Sequence, residues 1–235
     1  MDLSRYSLSS EIKVRDKIVG HGHPAFVVAE IGNNHNGEFD LAKKSVEAAA
    51  LAGADAVKFQ KRTVEEVFTK ELLGKEQTHS RILGTTYGAY RKKLELKDEE
   101  LAELKKIAHS LGLAFFVTPF DLTSVKALAA IGMDAWKISS FDATNPALLE
   151  LVARQGGPLF LSTGMTTLEE IDRAVATILP HNSELIINHC VSVYPTPSED
   201  LNLGAVMTLR NRYAPIPIGY SGHEIGYFPT IAAVA

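Results

Sequence analysis

Seven short runs along the chain are almost continuously apolar. They are FVVAEIG from Phe26, AVKFQ from Ala56, AFFVTPF from Ala114, AWKISS from Ala135, PLFLSTG from Pro158, ELIINHCV from Glu184 and PIPIGYS from Pro215. A strand with one wet face alternates apolar and polar residues, whereas a strand covered on both faces does not. These runs therefore read as buried parallel strands. Helical spacing appears between them. Leu101, Leu104, Ala108 and Leu111 share a face after Asp98, and Gly112 is a natural stop. Asn145-Pro146 sets a cap and a first-turn proline ahead of ALLELVARQGG. Thr166 and Thr167 stand at capping-box spacing from Glu169 and Glu170, with Ile171, Val175 and Ile178 on one face behind them. Strand and helix alternate at the interval of repeated βαβ units.

Two segments break this rhythm. Residues 11–20, EIKVRDKIVG, read as a small hairpin turning at Arg15-Asp16. Residues 61–97 form a long excursion at the exit of the second strand, a length and place that usually carry function. It is expected to act as a lid, with Tyr87 or Arg91 near a ligand. The chain divides into a hairpin segment over 1–25 and a catalytic barrel over 26–235. A doubly wound sheet would carry a glycine-rich turn after its first strand. The turn here is EIGNNHNGE, and polar residues instead recur at the C-terminal end of every strand. That is where a TIM (β/α)8 barrel builds its site. Seven strands are present where eight are needed, so the barrel is expected to be open between its first and last strands.

Composition adds only limits. The chain has 235 residues, 46% of them hydrophobic and 22% charged, with a formal net charge of -4. These values suit a folded α/β domain and show no basic face for nucleic acid. The start lacks the apolar core of a signal peptide, and no apolar run is long enough to span a membrane, so a cytoplasmic location is expected. The single cysteine, Cys190, lies in an apolar run and reads as a small buried side chain.

The chemistry-bearing residues sit at the strand ends. In chain order they are Glu30 with Asn34 and His35 in the next loop, Lys58 and Gln60, Thr118, and Lys137 with Ser140 and Asp142. Ser162 and Thr163, Ser192 and Tyr194, and Ser221 and His223 follow. Lys58 and Lys137 are the sharpest feature, because an isolated buried ammonium costs several kcal/mol or more. Each lysine either forms an internal salt bridge, with Glu30 and Asp142 as the candidates, or faces an anionic ligand. Two lysines among hydroxyls favour a phosphate or carboxylate. A Schiff-base lysine is the competing chemistry. His223 is a candidate metal ligand. His189, inside a strand, reads as a core histidine, and the other histidines show no ligand spacing.

The ordered segments AEIGNNHNG, GADAVKFQK, TPF, KISS, LSTGM, HCVSVYPTPSEDLNL and IGYSGHE resemble those of the N-acetylneuraminate (sialic acid) synthase family. The resemblance implies a TIM barrel that needs a divalent metal, Mn²⁺ or Mg²⁺. It implies condensation of phosphoenolpyruvate with an N-acetylmannosamine-like aldose, in a homodimer. On that resemblance Lys58, Thr118, Lys137, Ser140, Ser162, Ser192 and Ser221 are the phosphoenolpyruvate cradle. Glu30 and Asp142 are the acid/base carboxylates. Asn34, His35, Gln60 and Tyr194 lie on the sugar side, and His223 holds the metal. It further implies an eighth strand with a second histidine ligand and an antifreeze-like domain, neither of which lies in these 235 residues. Little activity is therefore expected of this stretch alone. A related pseudaminic, legionaminic or 3-deoxy-octulosonate synthase, and an inactive ligand-binding barrel, are the alternatives.

Overall fold

A computed structural model describes residues 3–77 and 85–235. They fall into two compact units, the described residues up to 25 with 135–235 and the described residues between 26 and 134.

The hairpin opens the first unit. Strands β1 (Glu11–Val14) and β2 (Lys17–Gly20) pair antiparallel, Val14 opposite Lys17. Arg15 takes φ 53° in the tight turn, as the sequence suggests. Alternation sends Ile12 and Val14 into the interior while Glu11 and Lys13 face water.

The second unit holds three parallel strands, β3 (Val28–Gly32), β4 (Ala56–Lys61) and β5 (Ala114–Pro119). Helix α1 (Phe39–Leu51) follows β3. After β4 comes the excursion, folded as α2 (Val64–Val67), α3 (Lys70–Gly74) and α4 (Tyr87–Leu94). Helix α5 (Asp98–Ser110) buries the expected Leu101, Leu104 and Ala108. Helix α6 (Leu122–Ile131) is capped by Asp121, whose carboxylate accepts from the Ser124 N–H at 2.7 Å. Every residue of β5 is buried, as its unbroken apolar run requires. In the ladder Glu30 stands opposite Lys58, and Gln60 opposite Thr118. The strand pairing thus sets the polar residues at the C-terminal ends side by side.

The first unit resumes with β6 (Trp136–Ile138) and a short turn over Ser140–Asp142. Helix α7 (Pro146–Ala153) carries the expected Asn145 cap and first-turn proline. Strand β7 (Leu159–Ser162) leads to α8 (Leu168–Ile178), whose Thr167–Glu170 capping box is complete. Strand β8 (Leu185–Cys190), α9 (Gly204–Tyr213), β9 (Ile218–Ser221) and α10 (Phe228–Val234) complete it. Strands β6 to β9 are parallel, with Ser162 opposite Asn188 and Cys190 opposite Ser221. The seven βα strands stand where the apolar runs place them. No helix among the described residues is long and apolar enough to cross a membrane.

Candidate active site

In the second unit, Lys58 is 6% exposed, and its ammonium lies 2.8 Å from a Glu30 carboxylate oxygen. It also donates to Thr118 Oγ1 at 2.5 Å and to the Phe59 carbonyl at 3.2 Å. Burial pushes its pKa down, and the Glu30 charge opposes that shift. The salt-bridge partner proposed for Lys58 is therefore the right one, and the ammonium is paired and hydrogen-bonded as burial demands. Glu30 keeps 48% of its side chain exposed. Its second neighbour is Gln60, whose Nε2 donates to Glu30 Oε1 at 3.4 Å. Glu30, Lys58, Gln60 and Thr118 thus form one cluster.

Asn34 and His35 occupy the turn after β3. Asn34 is exposed, whereas His35 is only 1% exposed. His35 Nδ1 accepts from the Gly37 N–H at 3.0 Å, and the ring also hydrogen-bonds the Gly32 backbone. Burial holds the imidazole below the usual histidine range. It lies in the same turn as Asn34.

In the first unit, Lys137 is buried and donates to Ser162 Oγ. Ser140 Oγ accepts from the Gly164 N–H at 2.9 Å. A Cβ on Gly164 would run into the hydroxyls of Ser140 and Ser192, so only glycine admits these three groups together. Asp142 is buried, and Ser139 Oγ donates to its carboxylate at 3.0 Å. Lys137, Ser140, Ser162 and Ser192 therefore gather around the Ser162–Gly164 turn. Ser221 stands opposite Cys190 in the ladder.

His223 lies at the exit of β9. Its Nδ1 is 2.7 Å from the Val191 carbonyl, which can only accept, so in the neutral ring Nδ1 carries the proton. Nε2 then keeps its lone pair and accepts from Tyr194 OH at 2.7 Å. A ring nitrogen tied to a backbone carbonyl, with the other left as a donor of electrons, is the arrangement in which histidines bind metals. His223 therefore fits a metal ligand, although no group of three or more such ligands occurs among the described residues. The Tyr194 and His223 rings stack at 3.9 Å. Cys190 Sγ lies 3.9 Å from His223 Nδ1. Burial opposes charge on both, but their mutual contact outweighs it. The thiol is pulled below its usual range, helped by Ser140, and the imidazole is raised above its own, helped by Val191.

Beside the expected Tyr87 and Arg91, the excursion carries Arg62 and Glu95, which the sequence did not mark. Arg62 is buried, and its guanidinium lies over the Phe120 ring at 3.8 Å. Its Nη2 donates to Gln60 Oε1 at 2.6 Å. Glu95 accepts from the Arg62 backbone N–H at 2.8 Å and lies 3.6 Å from Nη1. Arg91 packs over Phe68 and Tyr87 at 5.1 and 5.8 Å.

N-acetylneuraminate-9-phosphate synthase of Homo sapiens is 36% identical over 92% of this chain and 60% of its own length. N,N'-diacetyllegionaminic acid synthase of Legionella pneumophila is 38% identical over 91% of this chain and 62% of its own. The chain thus spans about three fifths of the length of the curated relatives it matches. A crystal structure of N-acetylneuraminic acid (sialic acid) synthetase from Leptospira borgpetersenii, in complex with citrate, superposes with TM-score 0.85 at 35% identity. That match covers 96% of this chain and 74% of the other, and it places the fold in the α/β class of TIM-barrel type. Residues 45–235 match the model of the NeuB family, and the chain belongs to that family.

Proposed function

We propose that this protein condenses phosphoenolpyruvate with an N-acetylmannosamine-type aldose, or its 6-phosphate, to give a sialic or related nonulosonic acid and inorganic phosphate. Two buried lysines at strand ends, each donating to a neighbouring hydroxyl, carry this reading. A small dianion with a carboxylate and a phosphate suits ammonium and hydroxyl donors of this kind.

In the reaction, C3 of phosphoenolpyruvate forms a bond to the aldehyde carbon. Water adds at C2, and the C2–O bond to phosphate breaks, so the bridging oxygen leaves with the phosphate. Lys58, Thr118, Lys137, Ser140, Ser162, Ser192 and Ser221 hold the carboxylate and phosphate and so fix the enol carbon in line with its target. Glu30, half exposed and beside Lys58, and Asp142, buried on its turn, manage the water and its protons. Gln60, Asn34 and Tyr194 face the sugar. His223 would hold a divalent metal, Mn²⁺ or Mg²⁺, whose Lewis acidity polarises a carbonyl oxygen when bound. The family resemblance also supports a cytoplasmic homodimer.

The test uses the full-length protein with phosphoenolpyruvate carrying ¹⁸O at the bridging position. It is offered N-acetylmannosamine, N-acetylmannosamine 6-phosphate or a diacetamido sugar. Labelled phosphate should appear with one of the three, together with a nine-carbon acid by mass. Phosphate release from none of them would overturn the reading. Borohydride trapping of pyruvate on Lys58 or Lys137 would replace it with Schiff-base chemistry.

A further inference from the structure

We propose that Arg62 is a positioning residue that fixes the Gln60 side-chain amide with its NH₂ group toward Glu30, so that Gln60 meets the acceptor sugar as a hydrogen-bond donor. The inference deepens the reading above and rests on it. Lys58, Gln60 and Arg62 are alternate residues running out of β4, and alternate residues of a strand share a face. A guanidinium has no acceptor, so the Gln60 atom at 2.6 Å from Arg62 Nη2 must be the amide oxygen. An ionised carboxylate has no donor, so the atom toward Glu30 must be the amide nitrogen. Both neighbours impose the same orientation. The contact to Glu30 is long, 3.4 Å, which leaves the NH₂ hydrogens available to a ligand oxygen.

Arg62 is itself held on three sides. Phe120 lies under its plane, Glu95 lies beside Nη1, and the Glu95 carboxylate accepts from the Arg62 backbone N–H. Glu95 stands at the far end of the 61–97 excursion. The excursion therefore reaches the candidate site through this arginine, and what it sets there is the direction of one amide.

The test is steady-state kinetics of the full-length protein with the sugar that passes the phosphate-release assay. Arg62→Met should raise the KM for that sugar about tenfold, the scale of one lost hydrogen bond to a charged group. The KM for phosphoenolpyruvate should stay within about twofold. Arg62→Lys, which keeps a charged donor, should recover part of the loss. Adding Arg62→Met to Gln60→Ala should cost nothing further, because the arginine acts through the amide. Arg62→Met strands the buried Glu95 carboxylate, so the double variant R62M/E95Q guards against simple misfolding. An unchanged sugar KM in both R62M and R62M/E95Q would overturn the proposal, as would additivity with Gln60→Ala. If no sugar supports phosphate release, the proposed function itself has failed, before the arginine is tested.

Discussion

In the loop after β3, His35 is buried, its Nδ1 accepts from the Gly37 N–H, and burial lowers its pKa. In the loop after β9, His223 is half-buried, its Nδ1 faces the Val191 carbonyl, and its pKa is raised. The glycines beside them differ in the same sense. Gly37 has φ +78°, and a Cβ there would strike the main-chain carbonyl of Lys93. At Gly222 the nearest atoms are the carboxylate of Glu224 and the edge of the Tyr220 ring. That carboxylate is tethered by Tyr220 OH at 2.8 Å and Thr230 Oγ1 at 2.9 Å, and it can swing aside. One loop is locked by backbone. The other is shaped by side chains, and there the second ring nitrogen meets only a side-chain hydroxyl, that of Tyr194. A histidine in a strand-exit loop is thus not by itself a ligand site; the partner of the first nitrogen decides what the second can do.

The same substitution in both loops breaks this comparison most sharply. Gly37→Ala should destabilise the protein by about 3 kcal/mol or more, from left-handed strain together with a backbone clash that nothing can relieve. Gly222→Ala should cost less, about 1–2 kcal/mol, because the Glu224 side chain gives way and only the edge of the Tyr220 ring must shift. Urea midpoints at neutral pH measure both. Equal losses would mean that the two loops are equally rigid.

His223→Asn is the next largest effect. It removes the Nε2 lone pair, and Mn²⁺ affinity of the full-length protein should fall tenfold or more, scaled from the effect of disturbing even outer ligand contacts. Tyr194→Phe removes only the hydroxyl that occupies that lone pair, so it should change Mn²⁺ affinity by less than about threefold. Electron paramagnetic resonance of free Mn²⁺ reads both variants. A larger loss in the tyrosine variant would make Tyr194, not His223, the metal contact.

The strands were legible because each is an unbroken apolar run, and burial on both faces leaves that trace. Helix α1 left a weaker one, because its core face is made of Ala42, Val46 and Ala49, and alanine contrasts little with its surroundings. Candidate-site residues on strands, such as Lys58 and Lys137, stood out as charges in apolar context. Arg62 did not, since it follows the strand in a polar stretch, and its partner Glu95 lies 33 residues on. The closeness of Cys190 and His223 depends on the β8–β9 register, which no local pattern encodes. The resemblance alone put His35 on the sugar side, and its burial left no local trace in the sequence. Its burial comes from the turn closing over it, with Phe59 at 5.9 Å on one side.

The smallest effect appears only as the pH changes, and its sign separates the two histidines. His35 has a folded pKa below the unfolded value of about 6.5. In acid the unfolded chain therefore takes up the proton first. The stability that the neutral ring provides is complete above the unfolded value and is lost as pH falls through the folded one. His223 is the reverse, because its folded pKa is raised. Its contribution is complete below the unfolded value and is lost as pH rises through the folded one. Urea midpoints of metal-free protein, from about pH 4.5 to 8.5, should therefore tilt in opposite senses in the two variants. His35→Asn keeps an acceptor for the Gly37 N–H and should lose part of the wild type's acid-side fall. His223→Asn should lose part of its fall on the alkaline side of about pH 6.5. Carboxylates titrating in the same range are common to all three proteins and cancel in the differences. If His35→Asn and His223→Asn tilt the same way, the neutral, locked ring and the raised, presented one are not the distinction that separates these loops.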